Sequence, residues 1–248
     1  MRIVAGIVAF DTPLATLQPL LRDLRAEPGV EPVVLCNSPD PAYRENLATL
    51  GALATLRFAE NRGFAAGHNE IFISTQPDWY ICCNPDIAYR PGVIPGLIQA
   101  AGAVRNPGLV APRIWDPGLQ EDLPARPYLN LWELVRKNLL GRRAGPGPEL
   151  APGIFQAQFV SGCFFLIAQG VFEQCAGFDE HFFLYCEDSD LSLRVGQRHL
   201  NLRVPGLAVE HQAQQGSRKS MHLAFRHLAS MLRYAMKHPT PFFGRPLP

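Results

Sequence analysis

The sequence predicts an α/β fold whose first half is Rossmann-like. Apolar, β-branched runs typical of strands occur near residues 2–9, 31–36, 53–58 and 79–83. Stretches with Leu and Ala at helical spacing lie between them, near residues 13–26, 41–50 and 64–75. Strands that alternate with helices form a parallel sheet, and runs that are apolar throughout are typical of strands covered by helices on both faces. With 248 residues, of which 47% are hydrophobic, the chain can bury a sizeable core.

The second half of the chain is predicted to be less regular. A strand near residues 108–113 precedes a Pro- and Gly-rich region, 116–153, which we expect to be a mobile, partly helical excursion with one amphipathic stretch at 129–140. Further along come a strand within 159–167, an acidic block at 177–190, a strand near 201–210 and a basic amphipathic helix at 218–237. The predicted single domain therefore consists of a Rossmann-like half (1–115), a less regular half (116–217) and a C-terminal helix and tail (218–248).

The composition argues against several classes of protein. The formal net charge is +1 and there is no long basic run, so a dedicated nucleic-acid-binding protein is disfavoured. The six cysteines form no CxxC pair, which favours reduced thiols in the cytoplasm. No small-residue cleavage site follows the N-terminal apolar run, so we interpret that run as a buried strand. No apolar segment approaches the roughly 18 residues needed to cross a bilayer, and any membrane contact is expected to be peripheral.

The common nucleotide-binding loops are absent from the sequence. No GxGxxG follows the first predicted strand and no GxxxxGK[ST] occurs, which argues against an ordinary dinucleotide-binding oxidoreductase. A nucleotide would instead bind where the strands end, because a doubly wound sheet leaves a crevice at that edge. Three loops, 10–12, 36–40 and 84–86, are expected there. Their candidate nucleotide-binding residues are Phe10, Asp11, Asn37, Asp40 and Asn84.

The loop Asn84-Pro85-Asp86 directly follows a predicted buried strand, which places a carboxylate at the edge of the sheet. A carboxylate at the position of Asp86 can hold Mg²⁺ or Mn²⁺ against a diphosphate. Asn, Pro and Asp are also common turn residues, and the tripeptide by itself favours a plain turn.

The segment 61–69, NRGFAAGHN, lies between the third and fourth predicted strands. Its candidate donor-binding residues are Asn61, Arg62, Gly63, Gly67 and Asn69. Paired glycines let a backbone approach a ligand closely, an arginine can pair with phosphate, and Asn and His side chains can bond a base or ribose. The same segment also fits a helix start capped by Asn61, with small residues packed on the sheet.

The acidic block, GFDEHFFLYCEDSD, is the densest cluster of ionisable residues in the chain. Its last three acids, Glu187, Asp188 and Asp190, follow an aromatic stretch. Carboxylates crowded beside apolar surface repel one another and lose water, which raises the pKa of at least one and makes a base usable near neutral pH. Acids also favour the first turn of a helix. A plain helix start needs neither three acids nor the aromatics before them, so we favour the functional interpretation.

His211 ends the predicted strand near 201–210, and a polar, basic loop follows it. His211 can complete a metal shell, and Arg218 or Lys219 can bind phosphate. A single histidine is more often structural, so this hypothesis depends on the acids upstream.

In this order the segments resemble the inverting family 2 glycosyltransferases of the GT-A fold, and most closely the rhamnosyltransferase-like branch that builds bacterial surface polysaccharides. The resemblance covers nearly the whole chain. It rests on NRGFAAGHN, the strand ending in NPD, the run VSGCFFLI, the block GFDEHFFLYCEDSDLSLR and the late strand ending at His211. The acidic block is the most specific of these. The resemblance implies a mixed central sheet and a nucleotide-binding half fused to a smaller acceptor-binding half.

The resemblance also implies roles for the acidic residues. Asp86, with help from His211, would hold a donor-bound Mg²⁺ or Mn²⁺. Asp188 matches the general base, which deprotonates an acceptor hydroxyl as its oxygen attacks the anomeric carbon from the face opposite the diphosphate. Glu187 and Asp190 would orient the acceptor or the helix end.

Two positions depart from the family pattern. Cys36 and Asn37 stand where relatives usually carry an acid that holds the nucleoside, and Asp40 is the candidate substitute. The NPD loop supplies one carboxylate where DxD supplies two, so modest metal affinity is expected.

The resemblance therefore implies an enzyme that transfers a hexose or deoxyhexose from a nucleoside-diphosphate sugar to a saccharide or lipid-linked saccharide. Rhamnose from a dTDP donor is the first candidate for the transferred sugar. A sugar nucleotidyltransferase should carry an early glycine-rich, basic loop, which is absent. A catalytically silent sugar-nucleotide or glycan-binding protein is the alternative from another class. The basic, aromatic C-terminal segment either lies on the inner leaflet near a lipid-linked acceptor or is a solvated helix.

Overall fold

The structure is a computed structural model that describes residues 1–118, 120–122, 127–132, 147–211 and 221–244. The strands within these residues are β1 (Ile3–Ala9), β2 (Val30–Cys36), β3 (Thr55–Phe58), β4 (Trp79–Cys83), β5 (Ile87–Ala88), β6 (Pro107–Asp116), β7 (Glu121–Asp122), β8 (Glu149–Ala151), β9 (Ile154–Gln156), β10 (Phe164–Ala168) and β11 (Leu200–His211). The helices are α1 (Leu14–Ala26), α2 (Pro41–Ala48), α3 (Phe64–Thr75), α4 (Val93–Ala103), α5 (Gln169–Gln174), α6 (Glu187–Gly196), α7 (Met221–Lys237) and α8 (Pro239–Phe243).

The strands form one mixed sheet in the order β3-β2-β1-β4-β10-β6-β11-β9-β8, with β5 beside β11 and β7 beside β6. The first four strands are parallel, as the alternation of strands and helices predicts. β10 then enters antiparallel between β4 and β6. This strand makes the sheet mixed, and the predicted α/β architecture is confirmed.

Helices cover both faces of the sheet because each helix carries one apolar stripe. In α1, Leu17, Leu21 and Leu24 recur at helical spacing and are fully buried on one face of the sheet. On the other face, Ile71 of α3 and Leu191 of α6 belong to a second cluster. Strands buried from both sides are apolar throughout, as in β4 with its sequence WYICC.

The predicted strand within 159–167 is shorter than expected. β10 begins only at Phe164, because the chain before it is bonded to α6 rather than to a neighbouring strand. The backbone N–H of Val160 donates to Ser192 Oγ at 3.0 Å, and that hydroxyl donates to Val160 O at 3.2 Å. The apolar residues before Phe164 therefore pack against α6 instead of extending the strand.

Half of the predicted excursion at 116–153 lies outside the described residues, including most of the amphipathic stretch 129–140. The described parts of this region pair with the sheet through β7 and β8. The predicted mobility stays a prediction.

The C-terminal helix α7 packs at one end of the domain through a third apolar cluster. Phe182, Leu193, Tyr234 and Phe242 meet there and are buried. The described part of the predicted helix 218–237 begins at Met221. Among the described residues, no helix combines the length and hydropathy needed to cross a bilayer.

Candidate active site

Strand β5 brings His211 beside the NPD loop. β5 follows Asp86 directly and pairs antiparallel with the end of β11, where Ile87 lies opposite His211. Nε2 of His211 lies 3.2 Å from Oδ1 of Asp86 and 3.4 Å from Nδ2 of Asn84. The structure thus brings together the two residues predicted to bind a metal, which are far apart in the sequence.

The His211–Asp86 pair is largely shielded from solvent. Burial disfavours the charged imidazolium, but the contacts with Asp86 and Cys163 outweigh it and raise the pKa of His211 to about 10. Oδ1 of Asp86 is buried and has no hydrogen bond of normal geometry among the described residues. The pair is therefore an imidazolium beside a carboxylate oxygen whose other bonding capacity is unused.

These two side chains fit a divalent cation. Cis ligands of an octahedral ion lie about 3 Å apart when each bond is about 2.1 Å long, which is close to the separation of Oδ1 and Nε2. A cation would take the place of the proton on His211, because a metal-bound imidazole is neutral. In the described part of the chain, no group of three or more His, Cys, Asp or Glu residues is arranged to hold a metal.

Asp188 lies at the start of α6, where the chain turns sharply. Tyr185 and Cys186, the two residues before the helix, have φ angles of 70° and 64°, a conformation that is costly for residues with a Cβ atom. Asp188 Oδ1 accepts a hydrogen bond from Ser189 N at 2.7 Å, and Oδ2 accepts one from Gly162 N at 3.1 Å. The helix N-terminus further favours the negative charge. Both carboxylate oxygens are thus oriented by backbone N–H groups.

Glu187, beside it, is the acid on which the expected rise in pKa falls. Burial, reinforced by the carboxylate of Asp188, raises the pKa of Glu187 well above its usual range. Its Oε2 is buried and has no hydrogen-bond partner among the described residues. Glu187 is therefore held in its neutral form, whereas Asp188 has the donors that suit a carboxylate.

The turn before β10 connects Asp188 to the NPD loop and His211. Gly162 N donates to Asp188, and the next residue, Cys163, accepts a 2.8 Å hydrogen bond from Asn84 N through its carbonyl oxygen. Cys163 Sγ also lies 3.9 Å from Nδ1 of His211. Two adjacent residues thus contact the base candidate on one side and the metal candidates on the other.

A cleft of about 210 Å³ opens at this edge of the sheet, lined by Thr12, Phe64, Asn84, Pro85 and Asp86. It lies at the carboxyl ends of parallel strands, where Ile7 of β1 is in register with Cys83 of β4. This is the position predicted for a nucleotide. The arrangement can bind an anionic group beside a cation, with a carboxylate base nearby.

Comparisons with known proteins fit this geometry. Rhamnosyltransferase WbbL of Escherichia coli (strain K12) is 40% identical over 184 residues, which cover 71% of this chain and 69% of WbbL. The chain belongs to the rhamnosyltransferase branch of the family 2 glycosyltransferases. An N-acetylglucosaminyl-diphospho-decaprenol L-rhamnosyltransferase of Mycobacterium tuberculosis (strain ATCC 25618 / H37Rv) is 31% identical over 172 residues, or 65% of this chain. The chain spans 56% of the length of that relative. No protein-family model matches this chain.

Solved structures show the same fold at low sequence identity. The mannosyltransferase PcManGT from Pyrobaculum calidifontis, in complex with GDP-Man and Mn²⁺, is 13% identical, with a TM-score of 0.62 over 100% of this chain and 66% of that one. GalNAc-T7 with UDP, GalNAc and Mn²⁺ is also 13% identical, with a TM-score of 0.64 over 93% of this chain and 47% of that one. The predicted GT-A fold of this rhamnosyltransferase-like chain is confirmed.

The NRGFAAGHN segment of this rhamnosyltransferase-like chain packs against the acidic block. Arg62 forms a 2.5 Å ion pair with Glu180. Asn69 donates to Phe178 O and accepts from Phe178 N, at 2.8 and 2.9 Å. Asn61 accepts from Gly63 N and so shapes the turn before α3. The polar side chains predicted to bind the donor are thus engaged within the protein.

The glycines of this segment are likewise used for packing. Gly63 has a φ angle of 96°, and a Cβ atom there would collide with the backbone of Phe183. A Cβ atom on Gly67 would lie 2.7 Å from a methyl group of Val8 in β1. A Cβ atom at either position would thus meet the protein itself, and ligand binding at these glycines stays a prediction. Nearby His68 is fully buried, which lowers its pKa to about 3, and it contacts the Tyr80 hydroxyl at 2.7 Å.

The residues at the ends of β1 and β2 differ in what their side chains contact. Asn37 is 3% exposed, and its Oδ1 has no hydrogen-bond partner among the described residues. Asp40, the candidate substitute for the missing acid, instead caps α2 by accepting from Ala42 N at 2.9 Å. Asp11 accepts a hydrogen bond from Ser38 Oγ, and Phe10 is exposed. Asn37 is therefore better placed than Asp40 to offer an unused polar atom.

Asp190 points away from the candidate site. It is fully buried and bonds Arg194, Lys237 and His238, each at 2.7 Å. These partners outweigh burial and lower its pKa. Asp190 thus ties α6 to the end of α7, and its predicted role, to orient the acceptor or the helix end, stays a prediction. Arg218 and Lys219, the predicted phosphate-binding residues, lie outside the described residues.

Sequence reasoning missed the turn formed by Gly162 and Cys163. The resemblance includes their run, VSGCFFLI, but assigns them no role. Ser161-Gly162-Cys163 interrupts an apolar run with small residues, and that interruption was the available indication of a turn.

Proposed function

We propose that this chain is a glycosyltransferase that transfers a hexose or deoxyhexose to a saccharide or lipid-linked saccharide. The first candidate for the transferred sugar is rhamnose from a dTDP donor. Its relatives are named rhamnosyltransferases, and the mycobacterial name specifies an N-acetylglucosaminyl-diphospho-decaprenol. The observation that carries the proposal is the turn that contacts both Asp188 and the Asp86–His211 pair, since it sets a base beside a cation site.

Transfer proceeds by a single displacement. Asp188 takes the proton of an acceptor hydroxyl while that oxygen forms a bond to the anomeric carbon. The bond between the anomeric carbon and the diphosphate oxygen breaks, and its electron pair leaves with the diphosphate. Attack from the face opposite the leaving group inverts the anomeric configuration. Gly162 N and Ser189 N orient the carboxylate for this step.

Asp86 and His211 would hold the divalent cation, Mg²⁺ or Mn²⁺. When bound, the cation supplies positive charge against the diphosphate as it leaves. Both fold neighbours were crystallised with Mn²⁺, which supports a divalent ion in this role. Asn84, beside His211, fixes the geometry of the loop through its backbone bond to Cys163.

The nucleoside would bind across the ends of β1 and β2. The buried, unpaired Oδ1 of Asn37 is suited to accept from a base N–H or a ribose hydroxyl. The acceptor would approach from the side of α6, within the half spanning residues 116–217. We place the reaction on the cytoplasmic side, with peripheral contact at the inner face of the membrane when the acceptor is lipid-linked.

A panel of dTDP-, UDP- and GDP-sugars tested by thermal shift with Mg²⁺ or Mn²⁺ would identify the donor, because a ligand of the folded state raises its apparent stability. Proton NMR of the product formed from that donor then reports the anomeric configuration. Retention would exclude the single displacement. Binding without transfer to any acceptor, unchanged in Asp188→Asn, would favour a silent sugar-nucleotide-binding protein. Release of diphosphate from a nucleoside triphosphate would favour a sugar nucleotidyltransferase.

A further inference from the structure

Helix α7 carries an apolar stripe on its solvent side. Phe225, Leu228, Leu232 and Met236 are all exposed, Phe225 by 72% and Met236 by 76%. At 100° per residue these four positions fall within an arc of about 80° on the helix surface. Single exposed apolar side chains are ordinary on a protein surface, but an aligned row of four large ones indicates a contact face.

The stripe is not needed to hold the helix in place. The other side of α7 makes the contacts to the domain, where Tyr234 is buried and Met231 packs against the third apolar cluster. Ser230 Oγ donates to Leu184 O at 2.8 Å, and the ring of His227 packs edge-on against Tyr185 at 4.9 Å. The helix is therefore fixed through one face while the stripe remains exposed.

Other exposed apolar residues belong to segments that pack beside this helix. Leu131 and Trp132 are 43% and 59% exposed. They follow Tyr128 and Leu129, which pack against the apolar cluster that contains Tyr234 of α7. Phe243, just after the helix, is exposed next to the buried Phe242 of the same cluster. A tryptophan on such a surface suits the boundary between lipid and water.

The charged side chains of the C-terminal segment are all of one sign. The sequence contains no Asp or Glu from residue 211 to its last residue, 248, and it contains six Lys and Arg. Within α7, Arg226, Arg233 and Lys237 project along one flank of the stripe, about 80–120° from Phe225. Lys237 is paired with Asp179 and Asp190, and Arg233 is exposed. A second copy of the chain docked on this stripe would bring two basic helices together, whereas an anionic surface complements them.

We propose that the stripe of α7, with Leu131, Trp132 and Phe243, docks on an anionic lipid bilayer. The apolar side chains enter the boundary between head groups and acyl chains, and the exposed Arg233 on the flank of the stripe contacts the lipid phosphates. No sugar nucleotide is required for this binding.

The docked helix also contacts the loop that leads to the base candidate. The guanidinium of Arg226 lies 4.1 Å from the ring centroid of Phe183, and the carbonyl of Phe183 accepts from Phe64 N in the candidate site. Lipid docking therefore places the loop before Asp188 next to the membrane. If the proposed function holds, that is the side from which a lipid-linked acceptor arrives.

Co-sedimentation of the full chain with vesicles tests the proposal. Vesicles of phosphatidylcholine with one third phosphatidylglycerol should bind the protein, and phosphatidylcholine alone should bind it at least about tenfold more weakly. Raising the salt concentration to about 0.5 M should weaken binding, because salt screens the basic residues. Equal binding to both kinds of vesicle, or none to either, would overturn the proposal.

Matched variants locate the contact. Phe225→Ser/Leu232→Ser should reduce vesicle binding by about tenfold or more. Ile73→Ser, which removes an equally exposed side chain on α3, should leave binding unchanged. Unchanged melting temperatures and donor binding would show that the variants fold, and donor binding reports on the transferase proposal separately. A wild-type dimer in sedimentation equilibrium that the double variant dissociates would instead assign the stripe to a second copy.

Discussion

The backbone N–H of Gly162 donates a 3.1 Å hydrogen bond to Oδ2 of Asp188, and the same turn continues into Cys163, whose carbonyl holds the NPD loop. The orientation of the base candidate is thus set from the sheet and not only from its own helix. A substitution on one side of this turn should therefore alter the geometry of the residues on the other side.

Asp188→Asn should reduce turnover by about 10²- to 10⁴-fold, because the amide keeps the shape of the side chain but cannot accept the acceptor proton. Donor affinity should stay within about twofold, since the proposed base acts on the acceptor hydroxyl and not on the donor. Steady-state rates with isothermal titration of the donor separate these effects. Glu45→Gln, an exposed charge-neutralising change on α2, serves as the control. Near-normal turnover in Asp188→Asn would exclude Asp188 as the base.

Asp86→Asn and His211→Gln should abolish the dependence of donor binding on Mn²⁺, because each removes one of the two protein ligands. Isothermal titration of the nucleoside diphosphate with Mn²⁺ and with EDTA measures this directly. In the wild type, we expect chelation to weaken binding by about tenfold or more. Donor binding in the wild type that is indifferent to EDTA would contradict the metal site.

Gly63→Ala should destabilise the fold more than Gly92→Ala does. Both glycines have φ angles above 90° or close to it, at 96° and 90°, so both substitutions incur backbone strain of about 1–2 kcal/mol. Only at Gly63 does the added methyl group also meet the backbone of Phe183, whereas the space around Gly92 is open. Urea denaturation should show an additional loss of about 1–3 kcal/mol for Gly63→Ala. Equal losses would mean that the contact between the two motifs contributes little.

Glu187→Gln should leave the protein as stable as the wild type near pH 4 and make it more stable near pH 8. The pKa of Glu187 is raised by burial, so the folded state binds a proton that the unfolded state releases above about pH 4.5. The contribution of Glu187 to stability is therefore greatest below pH 4.5 and falls as pH rises toward its pKa in the folded protein. The glutamine variant has no proton to lose. Melting temperatures across this range measure the difference, and a variant less stable than the wild type at pH 8 would indicate that the carboxylate is charged and paired.

Much of the fold was predictable, because the order of strands and helices in the first half is written in local apolar patterns. The acidic block was identifiable as a candidate site from its local composition, whereas Asp86 received its candidate role only with the resemblance. The links between them were not predictable, since they join residues distant in sequence. Asn69 and Phe178 are 109 positions apart, and Asp190 and His238 are 48 apart. A glycine that lets a ligand approach the backbone also looks the same in sequence as one that lets a neighbouring loop approach it. The close packing around Gly63 and Gly67 was therefore not predictable from the sequence.

The place of β10 in the sheet has a consequence for folding. During synthesis, β4 and β6 are complete once residue 116 has been added. The five-residue strand β10, which lies between them in the sheet, is synthesised only about fifty residues later. A nascent chain that ends before Phe164 therefore has two central strands with no neighbour on their facing edges, and such edges favour aggregation. The nucleotide-binding half should thus not mature on its own, and a chaperone or the ribosome surface would have to protect these edges until β10 arrives.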